Sequence, residues 1–599
     1  MTGQRAPRHA LVLGASGLVG RFLVRALAEA GAGITVAVRS AESGTRLGEW
    51  LRAHGVLRNV EMVIVDFDAE TILPGGAPAF AHVTEIHNCA GSYRFGMDPG
   101  EARRANVGIV EQVIELAAAL PQLQRVVHVS GYRVGGQDPA SVPWSPSHRE
   151  RVYAQLGGYE ASKVESDAIF QALAQERGVP WTIVNPASVI GDSATGESDQ
   201  HIGLAATIEQ LWDGTASALP SGPDTFLPVI PVDVLAAFMV AAATDPRAEG
   251  EAYWVLDDAT PLLPAMLTRL GHHLGVRTPR LKLPVRVIKR LPSWLTRADP
   301  ETLGFLSADR YPTAGADALA ARHGVHAPDV NRSIERWADH LVAHRFGRAG
   351  GPERRIVDMA GVPTFTLGDP GSRRVILPGL PVNADTWGHV ATGSGARAVD
   401  LPGLGLSGGS GIDDWEEWLP ALLDGGPIDL IGHSIGAAAA VVAADRFPER
   451  VRSLTLVAPF FLQGGPRRLS VPRPLVRAYL RSVNSRSLSA QITGTGSSSA
   501  ALDSSVNDLR RGRAGSVAAH LSRAASARWR AELRTALARF PGPVHIITGS
   551  EDPLERGIAE QLAARPGVEL TSLPGAGHHP QLTHGDSVIR ALGAAVGGN

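Results

Sequence analysis

Two apolar runs, each closed by a glycine-rich turn and followed by a helical pattern, constrain the fold of this chain more than any other feature. Leu11-Val-Leu13 precedes Gly14, Gly17 and Gly20, and Asp429-Leu-Ile-Gly-His-Ser-Ile-Gly436 places a serine between two glycines ahead of an alanine-rich run. A strand that enters a helix through a tight turn is the repeating unit of parallel α/β sheets. Short β-branched runs alternate with alanine-rich patterns along the whole sequence, so we predict an α/β protein throughout.

The length of the chain requires more than one core. It has 599 residues, and single hydrophobic cores stop growing at roughly 250–300 residues. The first α/β series runs from about residue 8 to an amphipathic helix around 330–344, and the second begins near Arg354. The stretch Arg345-Phe-Gly-Arg-Ala-Gly-Gly-Pro352 between them has the composition of a short linker. We therefore predict one domain at 1–348 and another at 349–599.

Composition excludes several classes of protein. A formal net charge of −2 argues against general nucleic-acid binding. The single cysteine, Cys89, excludes an internal disulfide and a cysteine-rich metal site, and we predict no metal ligands. Met1–Arg8 is too short and polar for a targeting signal, and the most apolar helical run, 436–444, is too short for a transmembrane segment. These features favour a cytoplasmic enzyme of undetermined oligomeric state.

The first glycine turn has the spacing of a nucleotide-binding turn. Glycines allow a pyrophosphate to approach the free N–H groups at a helix N-terminus, although glycines in a tight turn are also a common structural device. The next strand ends in Arg39-Ser40 where an acidic residue would bind the ribose of NAD, and this pair suits the 2′-phosphate of NADP(H). Asp66-Phe67 ends the third strand, where it would face the adenine.

A tyrosine and a lysine follow at helical spacing. Tyr159 and Lys163 lie at i and i+4 and so on one helix face, and a nearby cation lowers the pKa of a phenol toward the range of a general acid or base. Ser130 ends an earlier strand, where its hydroxyl could bind a substrate oxygen. A tyrosine and a lysine at this spacing are as often a surface pair. The prediction of a catalytic pair therefore depends on their position after the nucleotide turn and Ser130 in the sequence.

These residues resemble those of the extended short-chain dehydrogenase/reductases over about residues 8 to 330. Ile86-His-Asn-Cys-Ala-Gly91 resembles the H-N-x-A segment beside the nicotinamide, and Ala105-Asn-Val107 resembles the A-N-V helix. Ile183–Glu197 resembles the R-P-x-x-V-x-G-D-S-x-T-G segment of the thioester reductase and fatty acyl-CoA reductase branch. Asn185 stands where arginine is usual, and Gly131 where a hydroxyl residue is common.

The resemblance implies a Rossmann fold, a doubly wound parallel sheet, with NADP(H) as cofactor. It implies that Tyr159 protonates a carbonyl oxygen, that Lys163 holds the nicotinamide ribose and lowers the pKa of the tyrosine, and that Ser130 polarises the carbonyl. The residues expected to bind the cofactor are Gly14, Ser16, Gly17, Leu18, Val19, Gly20, Arg39, Ser40, Asp66, Phe67, Cys89, Ala90, Lys163, Asn185 and Pro186.

The second glycine turn matches the G-x-S-x-G nucleophile elbow, with Ser434 as the nucleophile. A later strand is followed by Asp552, and the next is followed by His578. This is the Ser…Asp…His order in which histidine deprotonates serine and aspartate orients the imidazole. Glu551 is the rival of Asp552 and His579 the neighbour of His578.

The chain resembles the α/β-hydrolase superfamily from about Arg354 to its end. Pro378-Gly-Leu-Pro381 occupies the place of the H-G-x-P turn, with proline in place of histidine, and Asp400–Ser407 resembles the D-x-P-G-x-G-x-S segment. The resemblance implies an oxyanion hole formed by the N–H groups of Leu380 and Ile435. A serine nucleophile disfavours epoxide hydrolase or dehalogenase chemistry and favours acyl transfer to water.

A helical cap is expected at about 461–535. Residues 461–530 contain twelve arginines against only Asp503 and Asp508. They form either a solvated cap or an electropositive rim for a carrier protein, the phosphates of CoA or a carboxylate. The basic stretch Lys282–Leu295 is either the polar face of a helix or a contact with a membrane or carrier.

The whole sequence predicts a bifunctional enzyme. An NADPH-dependent reductase of a carbonyl or acyl thioester is followed by a serine hydrolase of an ester or thioester, in lipid or polyketide-type metabolism. The substrate would be a small acyl compound, free or bound to CoA or a carrier protein. Two alternatives remain: one domain is a docking module, or the hydrolase fold performs cyclisation or acyl transfer.

Overall fold

The structure is a computed structural model, which describes residues 7–56, 60–67, 69, 72–91, 96–216, 219–220, 222, 224–279, 281–284, 306–462, 472–494, 500–552 and 557–594. The chain divides into two compact units, residues 1–338 and 339–599. Both are built on a largely parallel sheet covered by helices, which confirms the predicted fold class: a Rossmann-like sheet followed by an α/β-hydrolase domain.

Seven strands form the main sheet in the described part of the first unit, in the order β10-β6-β5-β4-β1-β2-β3, with every neighbouring pair parallel. Two small pairs, β7 with β9 and β8 with β11, lie outside it. The strands are β1 His9–Leu13, β2 Gly33–Val38, β3 Val60–Ile64, β4 Glu85–Asn88, β5 Arg125–Val129, β6 Trp181–Pro186, β7 Ser188–Ile190, β8 Leu219–Pro220, β9 Val229–Pro231, β10 Glu251–Val255 and β11 Lys282–Leu283.

Helices cover both faces of this sheet, because side chains alternate along each strand. Ala10 and Val12 pack into one core with Phe22 and Phe238, whereas Leu11 belongs to the core on the other face. The helices are α1 Leu18–Glu29, α2 Ala41–Ala53, α3 Gly76–Ala79, α4 Pro99–Arg103, a π-helical turn Arg104–Gly108, α5 Ile109–Ala118, α6 Pro146–Leu156, α7 Gly158–Arg177, α8 Leu204–Trp212, α9 Val232–Thr244, α10 Leu263–His273, α11 Ala314–Arg322 and α12 Val330–Ala343.

The sheet of the second unit has eight strands among the described residues, in the order β12-β13-β15-β14-β16-β17-β18-β19. The β12–β13 and β13–β15 pairs are antiparallel and the others parallel. The strands are β12 Arg354–Met359, β13 Val362–Leu367, β14 Arg374–Leu377, β15 Arg397–Val399, β16 Ile428–His433, β17 Val451–Val457, β18 Val544–Gly549 and β19 Val568–Leu573.

The described residues between β17 and β18, where the cap is predicted, are mostly helical. The last of these helices is tied to the helix after the nucleophile turn by the Arg539–Asp445 ion pair, at 2.7 Å, and so belongs to the core layer. The described helices of this unit are α13 Gly388–Ser394, α14 Trp415–Leu422, α15 Ile435–Arg446, α16 Arg473–Ser482, α17 Ser485–Thr493, α18 Ala500–Asp508, α19 Ala514–Ala524, α20 Ala527–Arg539, α21 Gly557–Ala563, α22 Pro580–Thr583 and α23 Gly585–Ala594, with a kink at Gly512 between α18 and α19.

The division between the units falls ten residues before the predicted boundary at 348/349. The predicted linker begins with residues that are packed: Phe346 is buried, and Arg345 forms ion pairs with Asp385 and Asp508 of the second unit. Composition alone could not reveal those partners, which lie far along the chain. The basic stretch predicted at 282–295 lies outside the described residues from 285 onward. No described helix is both long and apolar enough to cross a membrane.

Candidate active sites

The predicted cofactor residues of the first unit lie where strands of its main sheet end. β1 pairs with β2 on one side and β4 on the other, so the chain reverses its order of strands there, and ligands of α/β sheets bind at such a point. The turns after β1 and β4 touch: a β-carbon on Gly14, whose φ is +76°, would lie 2.7 Å from the carbonyl of Cys89 and 2.8 Å from the nitrogen of Ala90. The turn after β1 therefore needs glycine at this position.

The N-terminus of helix α1 is open. Its N-cap is Gly17, no side chain caps it, and Ser16 and Gly17 are exposed. The first N–H groups of a helix have no partner within the helix, so those of Leu18, Val19 and Gly20 can bind an anion. The tight approach of this turn to the helix also depends on Gly20, where a β-carbon would lie 2.2 Å from the Gly14 carbonyl oxygen.

Arg39 and Ser40 follow β2, and Asp66 and Phe67 follow β3. Arg39 is exposed and forms no ion pair with any other described residue, so its guanidinium can meet a phosphate. Ser40 caps helix α2 by accepting a hydrogen bond from the Ser43 N–H at 3.2 Å. Asp66 is exposed, and Phe67 is half-buried.

The tyrosine and lysine occupy the first turns of helix α7, beside the end of β5. The Lys163 ammonium donates a hydrogen bond to the carbonyl oxygen of Val129, the residue before Ser130, at 3.3 Å. Burial lowers the pKa of Lys163 to about 8, although Asp167 opposes the shift. Ser130 is itself buried. The structure therefore brings Lys163 to the strand end that carries Ser130, one helical turn after Tyr159.

Asp167, one turn beyond Lys163, was not predicted as a site residue. Burial raises the pKa of this carboxyl, against the opposing effects of Ser130, the Gln137 N–H and Lys163. Its Oδ2 accepts hydrogen bonds from the Gln137 N–H at 3.1 Å and from Gln171 Nε2 at 3.0 Å. The signal in the sequence was an acid four residues after the lysine, but that spacing gives no sign of burial.

Asn106 also positions this helix. Its amide donates to Ser162 Oγ at 2.8 Å, and the Ser162 hydroxyl donates to the Tyr159 carbonyl oxygen at 2.8 Å. Asn106 lies in the π-helical turn Arg104–Gly108. The A-N-V segment thus reaches helix α7 through a buried side chain, a contact that the motif alone does not specify.

Asn185 and Pro186 end β6, next to β5 in the sheet. The Asn185 amide is fully buried, and neither its oxygen nor its nitrogen has a hydrogen-bond partner among the described residues. Buried polar atoms without partners are uncommon and call for one. With the open helix N-terminus and the exposed Arg39, this amide makes the end of the sheet suitable for a nicotinamide nucleotide.

Ser434 lies on a strained turn between β16 and α15. Its φ is +52° and its ψ −107°, in a region that residues with side chains rarely adopt. The flanking glycines are required by close approach: a β-carbon on Gly432 would lie 2.5 Å from Ala437 Cα, and one on Gly436 would lie 2.0 Å from the Leu377 carbonyl oxygen. The sequence G-x-S-x-G therefore follows from packing around the elbow.

The predicted triad residues converge. Ser434 Oγ and His578 Nε2 are 3.1 Å apart, and His578 Nδ1 and Asp552 Oδ2 are 3.3 Å apart. Asp552 is buried, and its rival Glu551 is exposed. The arrangement lets the serine hydroxyl donate to the imidazole while the imidazole N–H donates to the carboxylate, which is the geometry of an activated nucleophile.

His433 joins the two turns around this nucleophile and was not predicted. Its Nδ1 accepts a hydrogen bond from the Gly379 N–H at 3.1 Å, and its Nε2 donates to the His578 carbonyl oxygen at 2.9 Å. Burial, followed by repulsion from His578, lowers the pKa of His433 to about 3, so the ring is neutral at pH 7. The neighbour His579 is buried too, and burial lowers its pKa well below the ordinary value.

The predicted oxyanion donors lie beside the serine. Ile435 is the first residue of helix α15, so its N–H has no helical partner. Leu380 follows Gly379, whose backbone is so close to the nucleophile that an added β-carbon would lie 2.8 Å from Ser434 Cβ. The aspartate of the D-x-P-G-x-G-x-S segment holds two stretches of backbone in place. Asp400 accepts hydrogen bonds from the N–H groups of Ala384 at 2.7 Å and Leu406 at 2.9 Å.

Two family models match the chain, one in each unit. Residues 12–239 match an NAD-binding family described as Male sterility protein. Residues 375–591 match the Alpha/beta hydrolase family.

Three curated proteins show partial similarity. The dehydrogenase/reductase SDR family member FEY of Arabidopsis thaliana is 27% identical over 247 residues, 36% of this chain and 65% of that protein. The 4-hydroxy-2-methyl-3-oxo-4-farnesyl-3,4-dihydroquinoline-1-oxide ketoreductase of Stigmatella aurantiaca is 27% identical over 284 residues, 46% of this chain and 77% of that protein. The pimeloyl-[acyl-carrier protein] methyl ester esterase of Klebsiella pneumoniae (strain 342) is 34% identical over 99 residues, 16% of this chain and 38% of that protein.

The chain therefore spans less than two thirds of the length of two of these three relatives. The family matches agree with the sheet order of each unit and with the glycine turns that open both. The chain joins a reductase domain of the male sterility protein family, whose cofactor is a nicotinamide nucleotide, to a domain of the alpha/beta hydrolase family.

Proposed function

We propose that this chain is a bifunctional enzyme: an NADPH-dependent reductase of a carbonyl or acyl thioester and a serine hydrolase of an ester or thioester. The observation that carries the hydrolase half is the continuous path from Ser434 Oγ through His578 to Asp552, with separations of 3.1 and 3.3 Å. Packing of the strained elbow against the alanine-rich helix does not by itself require a histidine at 578 or a buried acid at 552. Their presence beside Ser434 therefore supports catalysis.

In the hydrolase site, His578 takes the proton of Ser434 as its oxygen attacks the acyl carbon. The N–H groups of Leu380 and Ile435 stabilise the oxyanion, an effect of about 2.7–4 kcal/mol for one donor in other hydrolases. His578 then protonates the leaving alcohol or thiol, and water releases the acid by the same steps. Asp552 keeps the imidazole N–H directed away from the serine.

In the reductase site, Tyr159 donates the proton that a reduced carbonyl oxygen receives. Lys163 stabilises the phenolate that remains, and Ser130 donates a hydrogen bond to the same oxygen. NADPH supplies the hydride when it is bound. Its pyrophosphate would lie at Leu18, Val19 and Gly20, its 2′-phosphate at Arg39 and Ser40, and its nicotinamide near Cys89, Ala90, Asn185 and Pro186, with Asp66 and Phe67 at the adenine.

An acyl chain carried by CoA or a carrier protein is the substrate class we propose. The name of one relative points this way, since it is an esterase that acts on an acyl-carrier-protein conjugate. Helix α16 presents Arg473, Arg477 and Arg481 at intervals of four residues, all exposed. A cationic face of this kind suits the phosphates of CoA or an acidic carrier.

The test is a two-signal assay of wild type, Ser434→Ala and Tyr159→Phe. NADPH and NADH oxidation and free-acid release are followed with acyl-CoAs, β-keto thioesters, aldehydes and simple esters. We expect Ser434→Ala to lose at least a thousandfold in acid release and to keep NADPH oxidation, and Tyr159→Phe to show the reverse. Tyr479→Phe, an exposed tyrosine of the cap, is the matched control.

Each contrary outcome identifies the part that fails. Acid release that persists in Ser434→Ala would reject the triad, and no oxidation of either dinucleotide would leave the first domain as a docking module. A product formed only when a second alcohol or amine is present would assign acyl transfer or cyclisation to the hydrolase site.

A further inference from the structure

Two histidines and a glutamate converge at the amino ends of the strands in the first unit, the edge opposite to the cofactor turns. His9 opens β1, Glu61 lies near the start of β3, and His82 precedes β4. One ligand atom from each side chain lies within 4.8 Å of the other two. His9 is half-buried, whereas Glu61 and His82 are exposed. The reductase and hydrolase chemistry proposed above uses none of the three.

The backbone at all three positions is fixed by hydrogen bonds. The His9 N–H donates to Thr84 Oγ1 at 2.9 Å, and the Thr84 N–H donates to the His9 carbonyl oxygen at 2.9 Å. These bonds hold the segment of His82 against the start of β1. In the sheet, Thr35 of β2 pairs with Glu61 of β3. Residues carried by such a rigid frame lose little freedom when they bind a ligand together.

The chemistry of the cluster suits a cation. The rings of His9 and His82 meet edge to face with centroids 4.3 Å apart. Neutral imidazole is a common ligand of divalent transition metals. Glu61 brings a negative charge to the cluster. The other nearby carboxylate, Glu85, is paired with Arg8 at 3.0 Å.

A hydrogen bond also supports the more buried imidazole. Nε2 of His9 and Oγ1 of the buried Thr35 are 2.9 Å apart. Partners of this kind fix the orientation and tautomer of histidines that bind metals. On the same strand, Gly33 leaves room for the ring, because a β-carbon there would lie 2.7 Å from His9 Nδ1.

We propose that His9, Glu61 and His82 form a binding site for a divalent transition-metal ion such as Zn²⁺. Imidazole and carboxylate ligands bind Zn²⁺ at about 2.0–2.2 Å, so ligand atoms around a tetrahedral ion lie roughly 3.3 Å apart. The ligand atoms are at most 4.8 Å apart, and rotation of the exposed Glu61 and His82 side chains brings them to this separation. Three protein ligands leave the fourth position to water. The bound ion links β1, the edge strand β3 and the segment before β4.

The test is calorimetric titration of the full chain with ZnCl₂ after removal of metal by a chelator. We expect a saturable site in the wild type, weakened at least tenfold in His82→Asn and in Glu61→Gln. Both side chains are exposed, so the substitutions leave the fold intact, and circular dichroism of each variant checks this. The thermal transition of the wild type, but of neither variant, rises with Zn²⁺.

A second histidine pair supplies the control. His340, near the end of helix α12, and His344, just after that helix, stack with ring centroids 4.0 Å apart, so they are an alternative place for an ion. His344→Asn keeps the proposed site. Absence of saturable binding in the wild type, or binding that is lost in His344→Asn and kept in His82→Asn, overturns the proposal. NADPH oxidation and ester hydrolysis are measured on the same samples, so failure of this site is separate from failure of the proposed enzyme.

Discussion

A single imidazole ties the two turns that a serine hydrolase must hold in place. His433 accepts a hydrogen bond from the turn that carries Leu380, the proposed oxyanion donor, and donates one to the backbone of His578. It touches no reacting atom in the proposed mechanism, so its effect is one of positioning. Displacement of a catalytic group by about 1 Å can lower a rate about a hundredfold.

We expect His433→Ala to lower kcat for ester hydrolysis about 10- to 100-fold and to change KM by less than about twofold. His433→Gln, which retains one donor and one acceptor, recovers part of the loss. Steady-state kinetics with a soluble ester measure kcat and KM for both variants. Thermal unfolding measures the stability that is lost when the smaller side chain leaves a cavity. A loss that appears in KM alone, or no recovery in the glutamine variant, would contradict positioning by hydrogen bonds.

We expect Lys163 to set the alkaline limit of the proposed reductase activity. Burial lowers its pKa to about 8, so the ammonium is present below this pH and is lost above it. We expect kcat/KM for reduction to fall as pH rises through about 8, because the neutral amine no longer stabilises the phenolate of Tyr159. A pH profile of kcat/KM checks this, and Lys163→Arg, if active, moves the fall to higher pH. A profile that is level to pH 10 would reject the assignment.

Arg39 is expected to select NADPH. Replacing Arg39 by alanine removes a charge-assisted hydrogen bond to the 2′-phosphate, typically about 1.5–3 kcal/mol. The KM for NADPH should rise at least tenfold and that for NADH should change less than about twofold. Arg46→Ala is the control, since Arg46 lies on helix α2, which begins two residues after Arg39, but is paired with Glu42. Equal effects on both cofactors would assign Arg39 a general role in folding.

At the residue scale, the sequence motifs identified Ser434, Asp552 and His578, and the structure places them within hydrogen-bond distance of one another. Their catalytic roles remain predictions, as do those of Ser130, Tyr159 and Lys163. Asp167 and His433 were missed because their importance depends on burial and on partners far along the chain. The metal cluster was missed for the same reason: its three residues belong to separate segments without ligand spacing.

At the scale of elements, a buried ion-pair network fastens the cap helix α18 to the core of the second unit. Arg345 forms two hydrogen bonds to Asp508, at 3.1 and 3.0 Å, and a third to Asp385 at 2.7 Å. Asn383 also donates to Asp508, at 2.7 Å. Burial raises the pKa of Asp508, but Arg345 and Arg511 outweigh it, so the carboxylate stays charged.

We expect Asp508→Ala to destabilise the second unit by about 3–5 kcal/mol, because it leaves the buried guanidinium of Arg345 without its bidentate partner. Urea unfolding followed by fluorescence of the second unit's buried tryptophans measures the change. Asp445→Ala is the matched control: it breaks the ion pair with Arg539, which is 59% exposed, and should cost less than about 1 kcal/mol. An equal loss in the free energy of unfolding for the two variants would show that Arg345 forms an ion pair with another residue when Asp508 is absent.

The strands beside the two glycine turns were predictable, because short apolar runs bounded by glycine have few alternatives to a buried parallel strand. The π-helical turn Arg104–Gly108 was not, since one extra residue in a helix leaves no mark on hydrophobic periodicity. This turn carries Asn106, whose buried amide reaches helix α7.

At the scale of the whole molecule, the division of the chain was the least predictable feature. Glycine content placed the boundary at 348/349, but Arg345 and Phe346 are packed within the second unit, whose first residue is 339. A hydrolase fragment that begins at 339 therefore keeps these contacts, and one that begins at 349 loses them.

We expect the fragment 339–599 to unfold at higher urea than the fragment 349–599, with a difference of about 3–5 kcal/mol from the loss of Arg345 alone. Comparison of the two fragments by urea titration and by ester hydrolysis checks this. Equal stability would mean that residues 339–348 act only as a connector. The full chain serves as the reference for activity.

The position of Arg345 also bears on how such domains can be exchanged. A hydrolase domain moved by recombination to a new partner must take the ten preceding residues with it, or leave the buried Asp508 without the bidentate ion pair that it forms with Arg345. Junctions that keep this arginine are therefore the ones from which working chimeras can be built. In this chain the connecting segment 339–348 belongs structurally to the second domain, so a fusion to another protein should be made upstream of residue 339.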